Sequence, residues 1–168
     1  MGLEPFNVAS ALNLVLAQRL VRRICGTCKG KYDPDDVEMK AAHLDRNATF
    51  GDMHYTEEAI HNMKKAATKE AAPIVKDFSL KTKVGEMPFF KGRGCDACGG
   101  TGLKGRQGLY EVMAMTPTVR KLIMQNVGAA EIRDAAVQDG MLTLRMDGLL
   151  KVMKGITTLE QVIRETAV

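Results

Sequence analysis

Four cysteines, arranged as two Cys-x-x-Cys pairs, constrain this chain more than anything else in it. Cys25 and Cys28 lie in RICGTCKGKY, Cys95 and Cys98 lie in RGCDACGGTG, and there is no fifth cysteine. Four thiolates close a tetrahedral Zn2+ shell and leave no open position, which makes a structural site and not a catalytic one. Two intervening residues let a tight turn aim both sulfurs at one point. Glycines beside both pairs (Gly26 and Gly30; Gly94, Gly99, Gly100 and Gly102) suit turns that need a positive φ. The expected metal ligands are therefore Cys25, Cys28, Cys95 and Cys98. Two disulfides are an alternative, without a secretory signal peptide to favour them. A thioredoxin-like redox pair is another, but it ignores one pair and finds no strand feeding either. The gap between the pairs, positions 29–94, is 66 residues, against the roughly 15–20 of compact zinc ribbons.

Length and charge bound the rest. At 168 residues the chain is one medium domain or two small ones. Its net charge of +4 does not by itself argue for nucleic acid. The one basic concentration is Arg19, Arg22 and Arg23. No apolar run approaches the ~20 residues needed to span a bilayer. Trp is absent, and eleven Met share the filling of the core.

Residues 8–24, VASALNLVLAQRLVRRI, read as an apolar helix with Asn7 as its N-cap. Val8, Leu12, Val15, Leu16 and Leu20 recur at helical spacing, and Leu14 and Ala17 widen the stripe. The opening MGLEPFN reads as a turn entered from elsewhere. The expected organisation is a helix plus half a knuckle over 1–30, a charged insertion over 31–94, the second half-knuckle and a strand over 95–115, and four helices over 116–168.

Within the insertion, Pro34 capped by Asp33 predicts one helix start and Thr56 another. Residues 72–94 read as loop or short edge strand. His43, His54 and His61 fall here and read as solvated, since four Cys already complete a zinc shell. Further on, residues 108–115 predict a strand. Helices follow from Thr116-Pro117, over 129–139, from Thr143, and from Thr157 with Glu160 as a capping box. The stripes Val119, Leu122, Ile123; Ile132, Ala136; Leu144, Leu149, Leu150, Met153; and Leu159, Val162, Ile163 read as core.

No phosphate loop G-x-x-x-x-G-K-[ST], His-Glu-x-x-His or G-x-S-x-G elbow occurs, so no catalytic residue is assigned. KGRGC and GLKGRQG are Gly-basic turns that could bind an anion through backbone N–H groups. They read first as tight loops around the knuckle. Taken alone, the residues describe a cytosolic, zinc-stapled α+β module.

The run MGLEPFNVASALNLVLAQRLVRRICGTC resembles the start of the C-terminal region of the secretion and pilus-extension ATPases, the hexameric motors of type II secretion and type IV pilus assembly. GCDACGGTGLKGRQGLYEVMAMTPTVRKLI and GMLTLRMDGLLKVMKGITTLEQVIRET continue the match in the family's order. The resemblance implies an α+β fold: a tetracysteine knuckle, a short strand segment and a mainly helical C-terminal subdomain, attached to a RecA-like core. It implies one structural Zn2+ on the two Cys pairs, with ATP and Mg2+ held elsewhere in a full-length parent. It further implies a homo-hexamer, cytoplasmic and peripheral to the inner membrane, that works on an inner-membrane platform protein and not on nucleic acid. The pilus branch is favoured over secretion. The family's phosphate loop, acidic boxes and His box are missing, so the chain looks like an excised C-terminal piece with Met1 an internal or cloning start. An alternative is a zinc repeat of Hsp40-type chaperones, since CDACGGTG fits Cys-x-x-Cys-x-Gly-x-Gly. CGTCKGKY does not, with Lys31 and Tyr32 where Gly is needed. A zinc-stabilised nucleic-acid binder would rest on Arg19, Arg22 and Arg23 alone.

Overall fold

A long antiparallel ladder organises the molecule. In the computed structural model, which describes residues 4–65, 67–69 and 71–166, strand β1 (Leu14–Ile24) pairs with strand β4 (Leu103–Ala114). A second ladder joins β2 (Lys29–Tyr32) to β3 (Phe89–Gly92) in antiparallel register. The helices are α1 (Pro5–Ala11), α2 (Asp36–Ala41), α3 (Glu57–Lys65), α4 (Ala72–Val75), α5 (Pro117–Met124), α6 (Ala129–Gln138), α7 (Leu144–Met153) and α8 (Leu159–Thr166). The fold is a mixture of helix and strand, in line with the α+β expectation.

The helix expected over 8–24 is corrected. Only Pro5–Ala11 is helical, with Pro at its first turn and Asn7 inside it, not at its cap. Leu14–Ile24 is a strand. A segment apolar on nearly every side suits a strand wanted on both faces as well as it suits a buried helix. What decides is a partner some 90 residues away in sequence, which satisfies its backbone groups. The predicted strand 108–115 is present but starts at Leu103, so GLKGRQG is ladder and not loop. Of the opening turn, Met1–Leu3 lie outside the described residues, and Pro5–Asn7 belong to α1.

Opposite residues in an antiparallel pair share a face. On one face of the β1–β4 ladder, Val21 and Leu109 are buried. Gly148 of α7 sits there because an added Cβ would strike Val162 at 2.6 Å. The opposite face carries Leu14, Leu16, Leu20, Tyr110 and Val112, each 41–54% exposed.

The middle third makes about two thirds of the main core. Phe50, Tyr55, Ile60, Met63, Val75, Phe78, Val84 and Phe89 pack with Met146, Leu149, Val152, Met153, Leu159 and Val162 of α7 and α8. The Tyr55 hydroxyl donates to the Met146 carbonyl at 3.0 Å. A second cluster, Met115, Val119, Ala136 and Met141, holds α5 and α6 together. Arg120 of α5 donates to the carbonyls of Ala9, Leu12 and Met115, fastening the end of α1.

Caps fix most helix starts. Thr116 and Thr143 accept from Val119 N and Met146 N, and Thr56 accepts from Ala59 N, all as expected. The first helix of the insertion begins two residues later than predicted: Asp35, not Asp33, forms a capping box with Glu38. The α8 cap is Thr158, which accepts from Gln161 N. Thr157 is buried and donates to the Arg22 carbonyl of β1 at 2.8 Å. The aspartate Asp147 ties α7 to the ladder, accepting from Tyr110 N at 2.8 Å and from the buried Lys151 ammonium.

Candidate metal centre

The two ladders end beside each other, and all four cysteines sit at those ends. Cys25 follows the last residue of β1 and Cys28 precedes β2. Cys95 caps and Cys98 ends a 3-10 turn (Asp96–Cys98) between β3 and β4. Backbone bonds close the halves on each other: Cys25 N donates to Gly102 O at 2.9 Å and Arg93 N to Cys28 O at 3.0 Å. The 66-residue gap is therefore no obstacle, because β3 and β4 bring the second pair back to where β1 left the first.

The four sulfurs lie within 4.8 Å of one another. Cys25–Cys95 and Cys28–Cys98 are 3.9 Å apart, and Cys95–Cys98 are 3.7 Å apart. A tetrahedron with metal–sulfur bonds of about 2.3 Å has edges of about 3.8 Å. The cluster could hold a metal ion such as zinc, and its all-thiolate donor set is one that zinc accepts. His43, His54 and His61 are exposed and belong to no such cluster among the described residues.

The environment already favours thiolate at one corner. Desolvation pushes the Cys98 thiol up, but the N–H groups of Cys95 and Gly102, each 3.2 Å from its sulfur, outweigh it and bring the pKa down to about 6. Cys25 is lowered, chiefly by a backbone hydrogen bond from Thr27. Cys28 goes the other way, to about 11, through desolvation and hydrogen bonds with the neighbouring thiols. Four adjacent negative sulfurs repel one another, and a divalent cation removes that cost.

The glycines do two different things here. Gly99 and Gly100, at φ 59° and 77°, turn the chain with nothing near where a Cβ would be. Gly102, at φ 71°, touches Gly92: a Cβ on it would lie 2.4 Å from Gly92 O, and one on Gly92 would lie 2.0 Å from Gly102 O. Gly92 was not legible as part of the centre, because a lone glycine gives no hint of which backbone it will meet. Gly102→Ala is expected to lower stability by about 2 kcal/mol or more, from the disfavoured φ and the collision together. Chemical denaturation checks it, and an unchanged midpoint would show that the two backbones can part freely.

Comparison with known proteins gives a consistent picture. The family model described as Type II/IV secretion system protein matches residues 1–164. The chain is 36% identical over 166 residues to the type IV pilus assembly ATPase PilB of Thermus thermophilus, covering 99% of this chain and 15% of that protein. It is 35% identical over 167 residues to PilB of Myxococcus xanthus, 99% and 24% respectively. To the type II secretion system ATPase E of Vibrio cholerae it is 29% identical over 166 residues, 99% and 25%. The chain thus spans about a quarter or less of the length of these curated relatives.

Proposed function

Because this chain belongs to the Type II/IV secretion system protein family, we propose that it is the metal-stapled, helix-bearing part of an ATPase motor for type IV pilus assembly. The single observation that carries this is an alignment over 99% of the chain with pilus-assembly ATPases at the higher identity. The weaker match to a type II secretion ATPase makes secretion the second reading. ATP and Mg2+ are assigned to a part of the motor beyond these 168 residues, which contain no phosphate loop.

In this reading Cys25, Cys28, Cys95 and Cys98 hold one Zn2+ as thiolates. The metal supplies a cross-link between the two ladder ends and no reaction chemistry. The exposed face with Leu14, Leu16, Leu20, Tyr110 and Val112 is covered by the RecA-like core of the same motor, because an apolar strip of that size is rarely left in water. The motor is a cytoplasmic hexamer peripheral to the inner membrane, and the metal-bearing end passes its motion to a platform protein. Among the described residues no helix is long and apolar enough to cross a membrane.

The test uses the full-length motor. Cys98→Ser and Leu16→Asp are each returned to a null strain, and fibre extension is scored beside ATP affinity and hexamer content. Cys98→Ser is expected to stop extension while leaving ATP affinity within about twofold, since the phosphates are held elsewhere. Leu16→Asp is expected to loosen the docked core, because burying an unpaired carboxylate costs several kcal/mol. Normal fibres from the cysteine variant at normal expression would remove the coupling role and leave the metal a purely stabilising one. Extension intact but protein export lost would move the motor to the secretion branch.

A further inference from the structure

Near the cysteine cluster, the β1–β4 register breaks. Arg22 faces Arg106 and Ile24 faces Leu103, so Lys104 and Gly105 together oppose Arg23 alone. This is a β-bulge on β4 with Gly105 at φ 81°, and such bulges re-aim side chains. The result is an electrostatic anomaly. Arg22 and Arg106 are a cross-strand pair of like charge, an arrangement that repels. Among the described residues no carboxylate forms an ion pair with Arg22, Arg23, Lys104 or Arg106.

Two hollows open on either side of Gly105. One, of about 550 Å3, is lined by Arg22, Arg106 and Arg164 with Leu20 and Val21. The other, of about 390 Å3, is lined by Arg23, Lys29, Lys69 and Lys104 with Ile24 and Thr68, whose hydroxyl accepts from the Lys29 ammonium. Among the described residues neither is lined by a carboxylate, although the whole chain carries 20 acids against 24 bases. Two of the cations, Arg22 and Arg164, are also held by hydrogen bonds from their guanidinium groups. Gln161, 3% exposed, accepts from Arg22 N at 3.3 Å and from Arg164 Nη2 at 2.9 Å, linking β1 and α8 at this point. Arg22 Nη2 donates to Leu103 O at 3.3 Å, and Arg164 Nε pairs with Glu165 at 3.0 Å.

We propose that the bulged end of the ladder, built from Arg22, Arg106 and Arg164 with Arg23 and Lys104 behind them, binds a phosphate-bearing anion. Guanidinium forks match phosphate oxygens two at a time. An anion seated between Arg22 and Arg106 turns a repulsive pair into a clamp. A solvated basic surface would need neither a buried glutamine spanning two elements nor a bulge placed between two hollows whose described linings hold no carboxylate. The same chemistry is offered by a soluble polyphosphate and by an anionic lipid headgroup.

The experiment uses the zinc-loaded chain at low ionic strength. Pyrophosphate is titrated calorimetrically. In parallel the chain is sedimented with vesicles of phosphatidylcholine alone or mixed with phosphatidylglycerol. Saturable pyrophosphate binding, weakening as salt rises, is expected for a soluble ligand. Binding to the mixed vesicles that pyrophosphate does not displace assigns the site to headgroups. In either arm, Lys104→Gln with Arg106→Gln should weaken binding about tenfold or more, while the exposed Lys76→Gln should not change it. The double variant is expected to melt no lower than the parent, because it relieves the repulsion. Should it fail to fold, Arg106→Lys keeps the charge, loses the fork and must still weaken binding. No saturable binding in either arm, or binding indifferent to these substitutions, overturns the proposal.

Discussion

Chelating the metal from the isolated chain is expected to disorder the knuckle and leave α5 and α6 folded. Among the four cysteines only Cys25 is fully buried, and the apolar group beside it is small: Ile24, Ala71 and Phe90. The turn itself therefore has little to hold it once the cross-link is gone. Structural zinc sites bind with apparent free energies of about 10–16 kcal/mol in small peptides. Even the purely entropic part of closing a loop of this length is about 4 kcal/mol in the chain-entropy picture. The α5–α6 pair has its own cluster of Met115, Val119, Ala136 and Met141 and its own Thr116 cap, so its helicity should persist. Metal analysis should find about one zinc per chain. After chelation, amide NMR shifts should move at Gly99 to Gly102 and around Cys25 to Gly30, with those of α5 and α6 in place. A metal-free protein with an unchanged spectrum at Gly99 to Gly102 would refute the centre.

Phe50→Ala is the second large effect expected, at about 3–5 kcal/mol. Phe50 is completely buried, with ring centroids of Tyr55 and Phe78 each 5.8 Å away. Its cluster runs without a break into Met146, Leu149, Met153 and Leu159. Loss of the ring therefore loosens α7 and α8 as well as the segment that carries it. Urea unfolding followed by tyrosine fluorescence and by far-ultraviolet dichroism should shift together. Hydrogen exchange in α7 should quicken by a similar free energy. If α7 keeps its protection in the variant, the middle segment is a separate unit and not part of the common core.

What could be read from the residues was local. Thr116 before Pro117, Thr143 before Leu144 and Thr56 before Glu57 are each settled within one helical turn, and all three cap as expected. The paired cysteines converge because two-residue turns leave their sulfurs few directions. The strand at Leu14–Ile24 was not legible, since its apolar residues satisfy a helical stripe and its hydrogen-bonding partner is Leu103–Ala114. The middle third was opaque for a different reason. Its helices are as short as Ala72–Val75, and its order comes from burial against α7 and α8. Thr157 shows the limit at single-residue scale: as a threonine before an apolar run it reads as a cap, yet its hydroxyl serves the Arg22 carbonyl. The face-to-face arginines at 22 and 106 depend on register, which no local pattern announces.

The bonds from Thr157 to Arg22 O, from Ile24 N to Ile156 O and from Arg22 N to Gln161 lie within three residues of Cys25. They clamp the last residues of β1 to the loop that joins α7 to α8 and to the first turn of α8. No slack segment separates that loop from the cysteine ends. A sideways load applied at the cysteine tip therefore has no hinge in which to dissipate. It reaches both helices as a rigid lever would deliver it, and stiffness at that joint sets how much of the load arrives.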